Sequence, residues 1–339
     1  TTTTFAVDCA PWVREMVTEF AEASGAVGVV AAVTTEDCDQ QVAVGYDDLA
    51  DEVPLEASQT FRIASITKTF TAAVAVRLAE LGVWSLEDPI GDYVEGDYGE
   101  ITIEQILSHT SGLADVEYEG SLWDYLADPA AVADRTRAID ASLASPTRLD
   151  PGAIQRYANV NYLVAGYAIE GATGRPFAED LEEHVVGALG LASTGLENGS
   201  TELPVHYERA PEATNPIPLS ELPTGIGSVA AWTAGGMVSS LDDLTLFARS
   251  LFTGDVVSVE YLDLITDGFS GVRSGYGLGV NVLSVEGSPA YGHNGRIIGF
   301  ASAFRHAPDT GTTVVVLSND GAAPAPLLAD DLLERALEG

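Results

Sequence analysis

Basic residues are scarce in this 339-residue chain, and a single lysine, Lys68, accompanies fourteen arginines. Fifteen basic residues stand against 51 acidic ones, so the formal net charge is −36. A protein that binds nucleic acid needs a basic surface to displace counterions, and a field of this sign repels polyphosphates and anionic lipids. The composition therefore argues against a nucleic-acid partner and is typical of a solubilising surface.

Long apolar runs are also absent. The stretch 26–33 is far shorter than the roughly 20 residues that a membrane-spanning helix requires, so we expect no spanning segment. The first residues, Thr1 to Thr4, lack the basic and apolar parts of a signal peptide and resemble a mature end or a polar tether after processing. We expect a secreted or extracellular protein.

The chain has only two cysteines, Cys9 and Cys38. Cys9 precedes a helical pattern, and Cys38 lies in a turn between two strand patterns. A disulfide between them would fasten the N-terminus to a hairpin and would fit an oxidising compartment. Two unpaired thiols are the alternative.

Several signatures of metal and nucleotide chemistry are missing. The sequence contains no Walker loop, no His-Glu-x-x-His and no Cys-x-x-Cys. The Gly-x-Ser-x-Gly nucleophile elbow is absent as well. We therefore expect no metal and no other cofactor.

Apolar periodicity places strands at both ends of the chain and short helices between them. The two ends are predicted to pair in one antiparallel sheet flanked by helices, an α/β (α+β) fold with an inserted, mostly helical lobe. The sheet lobe then comprises residues 1–84 and 246–339, and the helical lobe residues 85–245. A cleft between two lobes is a favoured ligand site, and we expect the active site there.

The central helix, predicted over residues 65–81, opens with Ser65 and Lys68. Their spacing puts the hydroxyl and the amine on one helix face, within reach of each other. Apolar neighbours such as Ile66 and Phe70 would desolvate the amine and lower its pKa, which favours a nucleophile and its base. A capping serine followed by a surface lysine is the alternative. The absence of lysine elsewhere weakens that alternative.

A second group, Tyr157-Ala158-Asn159, precedes a helix predicted from Asn161. A phenol beside a lysine ammonium ionises more readily, so Tyr157 would take a proton from Ser65 and deliver it to the leaving group. The amide of Asn159 would hold Lys68 and a substrate carbonyl. Simple turn residues before a helix are the alternative.

A third group, residues 291–296, follows a predicted strand. Gly295 would let a substrate backbone lie against the strand edge, and the N–H of Arg296 would join that of Ser65 in holding an oxyanion. A hairpin turn at the Asn-Gly pair is the alternative.

The order Ser-x-x-Lys, Tyr-Ala-Asn, His-Asn-Gly resembles that of the penicillin-recognising serine hydrolases. The chain is most similar to the branch of class C β-lactamases, D-alanyl-D-alanine carboxypeptidases and their esterase and aminopeptidase relatives. The resemblance covers nearly the whole chain. It includes residues 107–113, Gly235-Gly236 before Ser239, residues 276–279, Gly292-His293, and Gly299-Phe300.

The resemblance implies a role for each motif residue. Ser65 is the expected acylated nucleophile, Lys68 and Tyr157 are the proton-handling pair, and Asn159 orients the substrate. His293 takes a place that Lys or His usually fills. Which of the pair is the acylation base stays open.

The third motif departs from the carboxypeptidases, which carry hydroxyl side chains around its glycine and an arginine on the preceding strand to bind a C-terminal carboxylate. Here Asn294 and Arg296 flank Gly295, and Asn281 stands about where that arginine would be. Either Arg296 supplies the positive charge, or esters and amides without an anionic end are preferred.

Three aromatic residues, Tyr118, Trp123 and Trp232, are expected to line the pocket, with simple packing as the alternative. His109 is expected to pack a loop and not to act in a catalytic triad.

These observations predict a serine hydrolase that forms an acyl-enzyme on Ser65. The expected substrate is a small molecule or peptide: a D-alanyl peptide, a β-lactam or an ester. D-alanyl-D-alanine carboxypeptidase activity is the first expectation, and esterase or D-amino-acid amidase activity is the second. A non-catalytic peptide-binding or self-assembling module is the alternative of another class, against which the complete motif set argues. The oligomeric state stays open.

Overall fold

The structure, a computed structural model, describes residues 9–115, 134–209, 215–219, 225–267 and 275–338. The helices are α1 Pro11–Ser24, α2 Thr67–Glu80, α3 Ile103–Leu107, α4 Arg135–Leu143, α5 Asn159–Thr173, α6 Phe177–Leu181, α7 Gly187–Leu189, α8 Gly225–Gly235, α9 Leu241–Thr253, α10 Val259–Thr266 and α11 Ala325–Glu338. The strands are β1 Gly28–Thr34, β2 Asp39–Asp48, β3 Val53–Pro54, β4 Thr60–Arg62, β5 Gly195–Leu196, β6 Tyr207–Glu208, β7 Ile217–Pro218, β8 Met237–Ser240, β9 Gly275–Tyr276, β10 Asn281–Val285, β11 Ser288–Ile297, β12 Phe300–Ala307 and β13 Thr312–Ser318. Short 3₁₀ turns span Ala64–Ile66 and Ile90–Asp92, and a π turn spans Glu182–Val186.

In the described part of the chain, eight strands form one sheet in the order β3-β2-β1-β13-β12-β11-β10-β9. The sheet joins the two ends of the chain, because β1 pairs antiparallel with β13 and sets Val30 opposite Leu317. Most of the elements between β3 and β9 are helices. The predicted fold class, an antiparallel sheet built from both ends with a mostly helical insertion, is confirmed. The division of the chain into two lobes stays a prediction.

The central strands β1, β12 and β13 are buried on both faces of the sheet. Successive strand residues point to opposite faces, so Val29 joins an apolar cluster with Leu332 of α11. Val30, the next residue, joins the opposite cluster with Phe70 of α2 and Phe247 of α9. The rings of Phe70 and Phe247 stack with their centroids 3.6 Å apart. The sheet is thereby the middle of three layers.

Helix α2 runs through the interior, and nearly all of its side chains are buried. A helix that is apolar all round belongs in a core and not at a surface. The helix begins at Thr67, two residues later than the sequence predicts, because Ser65 lies in the preceding 3₁₀ turn. The nucleophile candidate therefore stands on a tight turn at the helix entrance.

Two other boundaries differ from the sequence prediction and affect the site. Helix α5 starts at Asn159 instead of Asn161, since the N–H of Asn159 finds a side-chain acceptor from outside the helix. Strand β11 continues to Ile297 because its pairing with β12 persists through Gly295 opposite Ser302. The third motif is therefore extended strand, and the hairpin-turn interpretation is wrong.

Cys9 and Cys38 form a disulfide. The bond fastens the segment before α1 to the turn between β1 and β2. No helix in the described ranges is both long and apolar enough to cross a membrane.

Replacing both cysteines, Cys9→Ser with Cys38→Ser, is expected to lower the free energy of unfolding by about 3–4 kcal/mol. The bridge closes a loop with a sequence separation of 29, and cross-linking a loop of that size restricts the unfolded chain by about this amount. Urea unfolding of the oxidised protein and the double variant measures the difference. Equal stabilities would show that the bridge does not constrain the unfolded state.

Candidate active site

Ser65 stands on a strained turn between β4 and α2. The preceding residue, Ala64, has φ 48°, a left-handed conformation that residues with a side chain rarely adopt. Such strain concentrates at functional sites, where the surrounding structure holds it in place. Ser65 itself is half-buried. Its hydroxyl lies at the entrance of α2, where the helix dipole favours developing negative charge.

Lys68 lies one turn further along and is fully buried. Among the described residues, its Nζ has three oxygen partners: Ser65 Oγ at 3.1 Å, Asn159 Oδ1 at 2.8 Å and the Ala234 carbonyl at 2.6 Å. Burial lowers the pKa of Lys68 from 10.5 to about 7, and the negative charge of Asp115 opposes part of that shift. A substantial fraction of the amine is therefore neutral near neutral pH.

The three partners of Lys68 determine where the neutral amine directs its lone pair. The Ala234 carbonyl and Asn159 Oδ1 only accept hydrogen bonds, so they take the two N–H bonds of a neutral amine. Ser65 is the partner that also donates. The lone pair therefore faces the Ser65 hydroxyl, as a base for that hydroxyl requires.

Tyr157 adjoins the same pair. Its hydroxyl hydrogen-bonds with Ser65, and Lys68 Nζ lies 4.8 Å from the centre of its ring. Although 41% of the residue is exposed, desolvation raises the pKa of the Tyr157 phenol above its usual value of 10. Burial therefore shifts the pKa of the phenol in the direction opposite to the one that the sequence analysis expected from Lys68. Which of the two residues is the acylation base stays open at this point.

Asp115, which the sequence analysis missed, contacts Asn159 at the start of α5. Its carboxylate accepts the Asn159 backbone N–H at 2.8 Å and the Asn159 side-chain Nδ2 at 3.3 Å. Desolvation raises the pKa of Asp115, and these hydrogen bonds oppose the shift. Asp115 follows the matched segment 107–113 by two residues. Nothing in its local sequence indicates that it meets residue 159.

His293 is buried on β11, and both of its ring nitrogens have partners. Nδ1 lies 2.6 Å from the Asn294 carbonyl, so it carries the proton, and Nε2 accepts from the Tyr276 hydroxyl at 2.8 Å. Burial, and secondarily the charge of Lys68, lower the pKa of His293 to about 3, so the ring is neutral. The structure thus places His293 as a support for Tyr276, whose ring packs edge-to-face against Tyr157.

Gly295 brings β11 against the Ser65 turn. A Cβ atom on Gly295 would lie 2.2 Å from the Ile63 carbonyl oxygen and 3.1 Å from Ala64 Cβ. This close approach to the turn is the reason that residue 295 has no side chain. The expectation that a substrate backbone lies against the strand edge here stays a prediction. The same contact sets the next residue, Arg296, beside the turn. The pairing of its N–H with that of Ser65 as an oxyanion hole stays a prediction.

The side chains of Asn294 and Arg296 lie on the opposite face of the sheet from Gly295, as alternation along a strand requires. Asn294 Oδ1 accepts from Arg305, which also pairs with Asp330 of α11. The guanidinium of Arg296 donates to the Gly321 carbonyl at 2.6 Å and to Glu208 at 3.1 Å. Both side chains are therefore directed away from Ser65, and substrate binding by either of them stays a prediction.

Trp232 is a core residue and does not line a pocket. It is 8% exposed, its ring packs against Tyr167 and Phe177, and Arg135 stacks on it at 4.3 Å. The other aromatic candidates, Tyr118 and Trp123, lie outside the described residues.

His109 is buried beneath the site, as the packing interpretation expects. Its Nδ1 accepts the Ala158 N–H at 3.2 Å, and its ring lies 4.3 Å from that of Tyr157. His109 therefore supports the Tyr157 segment. Within the described ranges, no group of three or more His, Cys, Asp or Glu residues is arranged to hold a metal ion.

The Gly295→Ala variant is expected to lose about 1–3 kcal/mol of stability, because its methyl group would overlap the Ile63 carbonyl and force β11 away from Ser65. Hydrolytic activity should fall with it. The matched control is Gly195→Ala, a strand glycine around which the structure leaves open space. Urea unfolding and ester hydrolysis are the measurements, and equal effects of the two substitutions would contradict the close approach.

Comparison with known proteins agrees with the resemblance of the motifs. The family model described as Beta-lactamase matches residues 13–338. Penicillin-binding protein 4* of Bacillus subtilis (strain 168) is 26% identical over 312 residues, which cover 86% of this chain and 68% of that protein. A D-aminopeptidase of Cereibacter sphaeroides (strain ATCC 17029 / ATH 2.4.9) is 26% identical over 330 residues, 92% of this chain but only 60% of the relative's own length.

Among solved structures, the D-amino acid amidase from Ochrobactrum anthropi SV3 complexed with L-phenylalanine amide superposes with a TM-score of 0.82 at 24% identity. The superposition covers 96% of this chain and 97% of that chain. At this identity the likeness establishes the fold. Because the family model spans all but the ends of the sequence, the predicted family is confirmed, and the chain belongs to the Beta-lactamase family.

Proposed function

We propose that this protein hydrolyses amides or esters through an acyl-enzyme on Ser65, with Lys68 as the base. The observation that carries the proposal is the buried amine, whose two acceptor-only partners leave its lone pair facing the Ser65 hydroxyl. A nucleophile and a base within hydrogen-bond reach, with the base oriented by a third group, are the geometric requirement of covalent catalysis.

The proposed reaction has two halves. Ser65 Oγ bonds to the substrate carbonyl carbon while its proton passes to Lys68. The oxyanion that forms accepts hydrogen bonds from the backbone N–H groups of Ser65 and Arg296, which are the predicted oxyanion hole. The bond to the leaving group then breaks as Tyr157 gives that group its proton, and the Lys68 ammonium restores the proton of Tyr157. Water hydrolyses the acyl-enzyme in the second half, releasing the acid and restoring Ser65.

The positions of the basic side chains near the site favour substrates without a C-terminal carboxylate. Among the described residues, the arginines beside the third motif, Arg296 and Arg305, are tied to Glu208 and Asp330 on the opposite face of the sheet. Lys68 is buried and directed at Ser65. We therefore propose an amidase or esterase on neutral or cationic acyl compounds in preference to the carboxypeptidase that the sequence first suggests. The D-aminopeptidase and D-amino acid amidase relatives support this choice.

We also propose that the protein works outside the cytoplasm, since the disulfide between Cys9 and Cys38 persists best in an oxidising compartment. Alkylation of the protein in its native cells should leave both cysteines unlabelled. Labelling of either residue would contradict this location.

The value of kcat/KM for a nitrophenyl ester should rise with pH through about 7 and then level off, because only the neutral amine of Lys68 accepts the Ser65 proton. Subtracting the Ser65→Ala variant, expected to be slower on the order of 10³-fold or more, isolates the enzymatic rate. A profile that is flat across this range would contradict the base assignment. Equal rates for the variant and the wild type would contradict the nucleophile and favour a module that binds without hydrolysis.

A matched pair of peptides tests the substrate class. The protein should cleave diacetyl-Lys-D-Ala-D-Ala amide at least as fast as the same peptide with a free carboxylate, since the described site holds no cation to bind that carboxylate. A charge-assisted hydrogen bond contributes about 1.5–3 kcal/mol, so a carboxypeptidase would favour the free acid by roughly 10- to 100-fold. Such a preference, measured by release of D-alanine or D-alanine amide, would restore the carboxypeptidase assignment.

A further inference from the structure

We propose that Asp115 is a positioning residue for the reaction, which locks the orientation of the Asn159 amide and thereby aims the Lys68 amine at Ser65. The inference rests on the proposed function, since it concerns how the base of that reaction is held. Asp115 has no contact with the Ser65 hydroxyl among the hydrogen bonds of the described residues. Its action would pass through Asn159.

The contacts of Asp115 are made with the first turn of α5. Its two carboxylate oxygens take the backbone N–H and the side-chain Nδ2 of Asn159, and the backbone N–H of Val160 also donates to it. The first N–H groups of a helix have no partner within the helix. Asp115 supplies that partner from a distant part of the chain and anchors Asn159 by main chain and side chain together.

An ionised carboxylate only accepts hydrogen bonds, and this property selects one of the two orientations of the Asn159 amide. With Nδ2 on Asp115, Oδ1 faces Lys68, where it lies 2.8 Å from Nζ. In the reversed orientation, Asn159 Oδ1 would face a carboxylate oxygen of Asp115. Two hydrogen-bond acceptors would then meet with no hydrogen atom between them. Asp115 therefore determines that the oxygen of the Asn159 amide, and not its nitrogen, faces Lys68.

Reversal of the amide would also disable the base. A side-chain N–H of Asn159 would then face Lys68 and would bond to the lone pair of the neutral amine. That lone pair is the one directed at Ser65 in the observed arrangement. Asp115 thus favours the single arrangement in which the amine keeps its lone pair for the nucleophile.

The charge of Asp115 has a second, separable effect. It stabilises the ammonium form of Lys68, against the larger effect of burial. The other titratable groups around this amine are Tyr157 and Tyr162, whose rings it faces, and His109 and His293, which interact with its charge. The two histidines have lowered pKa values and are neutral, and the pKa values of both tyrosines are raised, so among the described residues Asp115 is the charged group that acts on Lys68 near pH 7.

The test compares Asp115→Asn with wild type on a nitrophenyl ester, with rates normalised to the burst of acyl-enzyme. The variant amide can present either end to Asn159, so acylation should slow on the order of 10- to 100-fold. The acidic limb of the rate profile should move to lower pH, because the group that favours the ammonium is gone. Asp115→Glu, which keeps the charge, should retain the wild-type position of that limb.

Asp134→Asn is the matched control, since Asp134 also accepts a backbone N–H at a helix start, that of Arg137 in α4. It should leave the normalised rate and the acidic limb unchanged. A merely structural role for Asp115 would reduce the amount of active protein and the unfolding temperature, but not the rate per active site or the limb. That result would overturn the proposal.

A double-mutant cycle tests whether the effect passes through Asn159. Adding Asp115→Asn to an Asn159→Ala background should slow acylation by less than threefold, because the amide to be oriented is already absent. If Asp115→Asn slows acylation in the Asn159→Ala background as much as it does in the wild type, the effect does not pass through Asn159 and the proposal is overturned. Should the wild type itself show no acyl-enzyme on Ser65, the proposed function fails instead, and the two failures are thereby distinguished.

Discussion

The proposed chemistry of this protein depends on one buried amine. Lys68 lies in an apolar interior with no exposed surface, where an ammonium group is costly to keep. A pKa shift from 10.5 to about 7 means that the protein environment destabilises the ammonium form relative to the neutral amine by about 5 kcal/mol compared with water. That unfavourable burial leaves much of an amine that is normally protonated at neutral pH in its neutral form, as the proposed role of Lys68 as a base beside Ser65 requires.

The surrounding structure holds the amine and its target together from three separate parts of the chain. The 3₁₀ turn and the start of α2 that follows it supply Ser65 and Lys68, the end of α8 supplies the Ala234 carbonyl, and the start of α5 supplies Asn159. Strand β11 presses against the strained turn at Ser65 through Gly295. Strain of this kind persists because packed neighbours fix it. The buried apolar clusters on the two faces of the sheet hold β11 and its neighbours in place.

Much of this arrangement could be predicted from the sequence. Alternating and helical apolar patterns indicated the sheet from both ends, and the lone lysine at an apolar helix start indicated an unusual amine. The faces of β11 were less predictable, because the sequence did not show that residues 293–296 stay extended. Once the strand continues, alternation alone turns Arg296 away from the site.

Long-range contacts were outside the reach of sequence reasoning. Asp115 and Asn159 are 44 positions apart, and no local pattern indicates that a carboxylate meets that helix start. The balance between desolvation and charge at Tyr157 also required the folded geometry, since the neighbouring lysine suggested a lowered pKa and burial raises it. Trp232 is a large aromatic residue of a type that often lines pockets, but it lies at a kink in α8 and its side chain packs into the core.

The single lysine of the chain allows a direct test. In protein labelled with ¹³C only at lysine, one Cε signal reports the ionisation of Lys68 during a pH titration. The account predicts a midpoint at about 7. A midpoint at the ordinary value near 10.5 would show that the amine is protonated at neutral pH, and would contradict its role as the base.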